Sequence, residues 1–172
     1  MSKLFPDAEW DSVYDIDFHH LYLEGFRAII FDIDNTIVPH GAPADQKAID
    51  FFGMLHREGL KTCLLSNNKE KRVRPFALAL QSPYISKAGK PGISGYEEAM
   101  RIMGSSRKDT LFIGDQIFTD IWGAKRAGLR SYLVRPINPR EEIQIVFKRY
   151  LEAPVLFFFR KKKKKTLQKA NR

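Results

Sequence analysis

Two pairs of aspartates in this 172-residue chain stand where side chains could do chemistry. Asp32-Ile33-Asp34-Asn35-Thr36 comes as the apolar run from Phe26 to Phe31 ends, and Gly114-Asp115-Gln116 with Asp120 comes as a second run from Thr110 ends. Nearly continuous apolar runs of this length are the pattern of strands covered on both faces of a parallel sheet. In open sheets of that kind the ligand crevice lies outside the carboxyl ends of the strands. A turn here can therefore aim one of the carboxylates of Asp32 and Asp34 at a substrate and the other at its leaving group. Folding that sets Asp115 beside Asp32 concentrates negative charge, since two carboxylates at about 4 Å repel by about 4 kcal/mol at an effective dielectric of about 20. A hard divalent cation with oxygen ligands relieves that repulsion, and Mg²⁺ is the expected ion.

Two further segments supply what an anion needs. Ser66-Asn67-Asn68 closes the apolar run from Leu60 to Leu65 and precedes a helical pattern, offering a hydroxyl and backbone N–H groups at a helix N-terminus. Lys90 sits in Gly89-Lys90-Pro91-Gly92, where glycine and proline constrain the backbone and leave the ammonium to reach inward. Taken singly, each motif has a plainer explanation: a solvated turn, a helix cap at Ser66 or Asn67, a hydrated loop lysine, or a helix N-terminal charge at Asp120. The conjunction of all four is what points to a site.

The elements that must position these residues follow from periodicity. Strands are expected over 26–34, 60–66, 110–115 and 130–134, with a short edge strand over 84–88. Helices are expected over 44–59, 69–80 with strain at Pro75, 94–103, 118–127 and 141–151. Ser94 reads as the cap of its helix with Glu97 as capping-box partner, and Trp122, at helical spacing from Phe118, reads as core. Strands alternating with helices give an α/β fold, a doubly wound parallel sheet. Residues 1–25 read as an extension packed on the core, with Val13, Ile16, Leu21 and Leu23 as its amphipathic contribution. Residues 26–152 form the domain proper and 153–172 a tail. Cys63 lies inside an apolar run and reads as packing material, and a lone cysteine excludes a disulfide framework. His19, His20, His40 and His56 show no metal-ligand spacing and read as surface or packing residues.

The ordered set Asp32-x-Asp34-Asn35-Thr36, Ser66-Asn67-Asn68, Lys90-Pro91 and Gly114-Asp115-Gln116-x-x-Thr119-Asp120 resembles the four motifs of haloacid-dehalogenase-like phosphatases. Its wording is similar to the YqeG-type branch of subclass IIIA, which in turn is similar to phosphatidylglycerophosphate phosphatases. The resemblance implies that Asp32 attacks phosphorus and becomes an aspartyl phosphate. It implies that Asp34 protonates the departing alcohol and then activates water, a task that requires surroundings able to raise an aspartate from its usual pKa of about 3.9. It places Mg²⁺ on Asp32, the backbone carbonyl of Asp34 and Asp115, and the phosphoryl oxygens on Ser66, Asn67 and Lys90. Thr36 and Asp120 are supporting residues, with Asp120 either holding metal-bound water or orienting Lys90. About thirty residues separate Thr36 from Ser66 and about twenty separate Asn68 from Lys90, which leaves no room for a cap domain. Family members without a cap generally act on large or surface-bound substrates.

Charge distribution bears on partners. The chain carries +9, but residues 160–172 hold eight basic residues and no acidic one, which leaves residues 1–159 at +1. Basicity is a property of the tail, and no specific nucleic-acid surface is expected of the body. The tail joins Val155-Leu-Phe-Phe-Phe159 to Arg160 and Lys161–Lys165, too short to cross a bilayer at about 20 residues but suited to an anionic membrane surface. A disordered solubilising tail is the plainer alternative. Acidic residues at 7, 9, 11, 15 and 17 interrupt the opening, so no signal peptide is read and a cytoplasmic protein at the inner membrane face is expected. The substrate expected from these features is an anionic phospholipid, phosphatidylglycerophosphate. The competing readings are a polynucleotide end phosphatase, a phosphatase of another soluble monoester, a phosphoacceptor signalling domain, and a membrane adaptor without catalysis.

Overall fold

In the computed structural model, which describes residues 4–138 and 152–161, the chain builds one six-stranded sheet in which every pairing is parallel. The strands are β1 (Ala8–Trp10), β2 (Ala28–Phe31), β3 (Lys61–Leu65), β4 (Tyr84–Ile85), β5 (Thr110–Gly114) and β6 (Arg130–Val134), in the spatial order β1-β6-β5-β2-β3-β4. Between them run α1 (Phe18–Leu23), α2 (Gln46–Arg57), α3 (Glu70–Ala79), α4 (Ser94–Met103) and α5 (Trp122–Arg126). The doubly wound α/β architecture expected from the alternation is present.

The period-2 geometry of a strand explains the layering. From β2, Ile29 and Phe31 face the apolar stripes of α2 and α3, where Phe52, Leu55, Val73 and Phe76 are buried. Ala28 and Ile30 face the other way, onto Tyr96, Ala99 and Met100 of α4 and Ala124 of α5. Because both faces are covered, β2, β3 and β5 must be apolar throughout, which is why they read as runs rather than alternations. Cys63 is buried in the second cluster, as packing. Between β2 and β3 the chain holds α2 and loops, and between β3 and β4 it holds α3, so no cap interrupts this part of the described chain.

Several local expectations change. The N-terminal segment does more than lean on the sheet: β1 pairs with β6 as an edge strand, Ala8 opposite Tyr132. Val13, Ile16 and Leu21 are buried behind it, but Leu23 is exposed. Ser94 is the first residue inside α4 and makes no capping bond, because Ile93 before it is already in the right-handed helical region; Glu97 instead accepts from Arg107 at 3.0 Å. The helix expected over 118–127 begins as a π-wound turn, Ile117–Ile121, before α5. Trp122 is 36% exposed with Arg126 over its ring, a surface position rather than core. Helix α3 passes through Pro75 without ending. The helix expected over 141–151 lies outside the described residues. Residues 152–161 are helical, here α6, and among the described residues no helix is long and apolar enough to cross a membrane.

Candidate active site

The motifs meet at the carboxyl ends of β2, β3 and β5, the three central strands. Asp32 follows β2, and its N–H donates to Ile113 O at 2.9 Å, continuing the β2–β5 ladder to the edge of the site. Ser66 follows β3, and its N–H donates to Ile85 O at 3.0 Å. Asp115 follows β5. Asp32 and Ser66 line a cavity of about 170 Å³, whose walls also include Asp34, Asn67, Lys90 and Asp120. His40, read from sequence as surface or packing, stands on the rim of that cavity.

Lys90 is the electrostatic centre. Its ammonium donates to Asp32 Oδ1 at 2.6 Å and to Asp120 Oδ1 at 2.6 Å, with only 7% of the residue exposed. Burial by itself favours a neutral amine, but the carboxylates of Asp120 and Asp32 outweigh it and hold the lysine charged. Burial likewise pushes the Asp32 carboxyl upward, Lys90 opposes that push, and the charge on Asp120 adds to it. Asp120 reaches both Lys90 and the carboxylate group of Asp32 and Asp115.

Asp32, Asp115 and Asp120 bring carboxylate oxygens within 4.8 Å of one another, all three residues buried. Thr36 Oγ1 stands 3.4 Å from both Asp32 Oδ2 and Asp115 Oδ1. Three carboxyl groups gather around one ammonium, and every available donor is a hard oxygen. A divalent metal ion fits that donor set.

Two glycine-dependent or strained backbone positions make this cluster possible. A Cβ at Gly114 would lie 2.6 Å from Asp120 Oδ2 and 2.7 Å from its Cγ, so only glycine lets the Asp120 carboxylate pass over the end of β5. Asn35 adopts φ of +63°, a left-handed conformation that asparagine tolerates better than most residues. Its N–H donates to Val38 O at 2.8 Å, closing the turn that carries Asp34 away from Asp32. The π-wound turn has a matching cause: Asp120 and Ile121 both donate to Gln116 O at 3.1 Å, while Asp120 Oδ2 accepts from Gln116 N at 3.1 Å. The widened turn lets Asp120 bend back over Lys90, a deviation of the sort that accumulates at functional sites.

Asn67 and Asp34 both line the cavity and are held by the protein around them. The Asn67 side chain accepts from Lys90 N at 2.8 Å and donates to Lys90 O at 3.1 Å, bracing the lysine backbone. Three donors converge on Asp34: Gly41 N at 2.7 Å and Arg72 Nη2 at 2.9 Å on Oδ1, and Asn68 Nδ2 at 2.6 Å on Oδ2. Arg72, on the first turns of α3, is a site residue that sequence reasoning missed. Its only signal was its place shortly after Ser66-Asn67-Asn68, on the helix that segment introduces.

Comparison with known proteins supports the chemistry these groups suggest. Residues 42–128 match the model of a hydrolase family, the haloacid dehalogenase-like hydrolases. Over 164 residues the chain is 33% identical to "Probable phosphatase YqeG" of Bacillus subtilis strain 168, covering 94% of this chain and 95% of that protein. The chain belongs to the haloacid dehalogenase-like hydrolases. Within that family it is a phosphatase. It is also 26% identical over 162 residues to phosphatidylglycerophosphate phosphatase 1, chloroplastic, of Chlamydomonas reinhardtii, spanning 88% of this chain but 60% of that protein. The fold is shared with a subfamily III A hydrolase from Legionella pneumophila, at a TM-score of 0.51 and 16% identity over 67% of this chain and 69% of that one. It is shared too with deoxy-D-mannose-octulosonate 8-phosphate phosphatase of Haemophilus influenzae in its cobalt-bound form, at 0.53 and 14% over 65% and 70%.

Proposed function

We propose that this phosphatase is a Mg²⁺-dependent phosphomonoester hydrolase that works through an aspartyl phosphate on Asp32, and that its substrate is phosphatidylglycerophosphate. The observation that carries the chemical part is the Asp32 carboxylate at the cavity floor, buried beside an ammonium at 2.6 Å and two further carboxylates. Its Oδ1 is held by Lys90, while Oδ2 has its nearest hydroxyl at 3.4 Å and is the oxygen less committed to the protein. Attack by that oxygen forms the O–P bond as the bond to the leaving alcohol breaks, and the alcohol oxygen takes a proton from Asp34. Asp34 then takes a proton from the water that attacks the acyl phosphate, which returns Asp32 as a carboxylate and releases inorganic phosphate. Oδ1 of Asp34 accepts from Gly41 and Arg72, while Oδ2 accepts one bond, from Asn68, and keeps a second site at which the transferred proton can sit.

Lys90 places a fixed positive charge where negative charge gathers on the phosphoryl oxygens, and Ser66 offers its hydroxyl in the same cavity. Mg²⁺ held by Asp32, Asp115 and the backbone carbonyl of Asp34 would supply electrostatic stabilisation of the same developing charge. The preference for a lipid monoester is supported by the likeness to the phosphatidylglycerophosphate phosphatase of Chlamydomonas reinhardtii and by the single helices that separate β2, β3 and β4, which leave no cap over the cavity in this part of the described chain. The test is phosphate release with Mg²⁺ from phosphatidylglycerophosphate in mixed micelles, from soluble phosphosugars, and from a 3′-phosphorylated oligonucleotide. Preference for the lipid is expected. Turnover of phosphosugars without the lipid, or prompt cleavage of the oligonucleotide, overturns the substrate assignment; no turnover of any monoester overturns the mechanism.

A further inference from the structure

Helix α6 has two faces of different character. Glu152, Val155, Leu156 and Phe159, at spacings i, i+3, i+4 and i+7, turn inward. Val155 and Leu156 pack on Ile117, Ile121 and Leu133, and the Phe159 ring lies 5.6 Å from that of Phe5. Arg160 pairs with Glu9, its Nε donating at 3.2 Å. The inward face is thus fully accounted for by the body of the protein. The outward face carries Phe157 and Phe158, 62% and 60% exposed, next to Lys161. Among the described residues no core cluster includes either phenylalanine.

We infer that α6 is a membrane-docking helix: Phe157 and Phe158 enter the interfacial region of an anionic bilayer while the lysine run that begins at Lys161 meets its headgroups. The charge is complementary to such a surface, with five consecutive lysines in the sequence, Lys161–Lys165, the first of them on the helix itself. Each basic residue near an anionic surface strengthens binding by about fivefold. An amphipathic helix lies in the interface plane when an aromatic face and a cationic flank are combined in this way. A single-stranded nucleic acid is the less favoured occupant, because stacking needs an open ring face. Here the two rings meet at 77° with centroids 5.7 Å apart, and Lys161 Nζ stands 6.0 Å from the Phe157 centroid. The rings form a wedge rather than a platform.

The helix is also tied to the catalytic turn. Glu152 Oε1 accepts from Ile117 N at 2.8 Å and from Phe118 N at 3.3 Å, two and three residues after Asp115. A bilayer that holds α6 therefore holds the end of the loop that carries Asp115 and Asp120. This deepens the lipid part of the proposed function and rests on it for the consequence that docking serves turnover; the docking itself is tested apart from catalysis.

The full chain is sedimented with vesicles of phosphatidylcholine alone and of phosphatidylcholine mixed with phosphatidylglycerol. Salt-sensitive binding to the anionic vesicles is expected, with a loss of about tenfold or more in the Phe157→Ser/Phe158→Ser variant. Hydrolysis of a small chromogenic phosphate should be the same in both proteins. Lys161→Glu should weaken vesicle binding without touching the rings. Equal sedimentation of variant and parent overturns the inference. So does parent binding to a single-stranded oligonucleotide in preference to anionic vesicles, or a parent dimer that the double variant dissociates while vesicle binding is unchanged. Failure of chromogenic turnover in the parent would count against the catalytic reading and leave the sedimentation result standing.

Discussion

Replacing Lys90 by methionine removes the one ammonium that lies between Asp32 and Asp120. The side chains are similar in length, so the change deletes charge and hydrogen bonds while keeping most of the packing. Three carboxylates then remain with oxygens within 4.8 Å of one another. At an effective dielectric of about 20, a pair of charges at that spacing repels by about 3.5 kcal/mol. Loss of one partner from a buried ion pair costs about 3–5 kcal/mol. We expect Lys90→Met to be destabilised by about 4 kcal/mol in urea unfolding followed by far-UV circular dichroism with chelator present, with an unchanged m-value. Adding Asp120→Asn should recover about half of that loss, since it removes one of the orphaned charges.

The deficit must also depend on pH in a definite sense. Burial and Asp120 push the Asp32 carboxyl upward, and Lys90 is the group that opposes them. Without it the folded pKa rises further above the unfolded value of 3.8, so the folded state binds the proton more tightly than the unfolded one. Stability from that group is then fullest in acid and falls as pH rises toward the folded pKa. The deficit of the variant should accordingly be smaller at about pH 5.5 than at about pH 8.5. A loss below about 1 kcal/mol, or one equal at both pH values, would refute the view that Lys90 holds the carboxylate cluster together.

Three other outcomes are expected. Asp32→Asn should abolish phosphate release and leave no label on the protein after acid quench with a ³²P-labelled monoester, whereas the parent retains label. Gly114→Ala should drive a methyl group into the Asp120 carboxylate, lowering kcat by about tenfold or more and stability by about 1–3 kcal/mol, read by turnover and urea melts on the same sample. Cys63 should resist thiol reagents in the native protein, because burial pushes its thiol up to about 12, and should react only at the rate of unfolding. By linkage an unfolded thiol ionises above about pH 9 while the folded one stays neutral to about 12, so alkali in that window should erode stability at about 1.4 kcal/mol per pH unit.

What the sequence makes legible is the part of the fold whose pattern is enforced by burial. Strands β2, β3 and β5 are covered on both faces, so their apolar runs and the polar residues that end them announce both the sheet and the site. Strand β1 gives no such signal, because three residues with both faces half-buried are too short to show a period. The π-wound turn is invisible for a different reason: Phe118 to Ala127 satisfies helical spacing either way, and only the path of Asp120 toward Lys90 selects the wider turn. Arg72 and Glu152 meet their partners across 38 and 35 residues of chain from ordinary-looking helix positions. No local pattern marks such contacts. Ser94 misled because a serine before a helical pattern suits a cap, whereas Ile93 had already entered the helix.

The pairing of β2 with β5 sets Phe31 opposite Ile113, so Asp32 and Asp115 leave the sheet one step apart in neighbouring rails of the same track. Sliding one rail by a single residue would carry Asp115 about 3.3 Å along and turn its side chain to the opposite layer. The spacing of the acidic oxygens is therefore a vernier reading of backbone alignment. Residues deep in the sheet, which never see a substrate, set that reading as firmly as any group in the cavity, while the solvent-facing turns can drift without disturbing it.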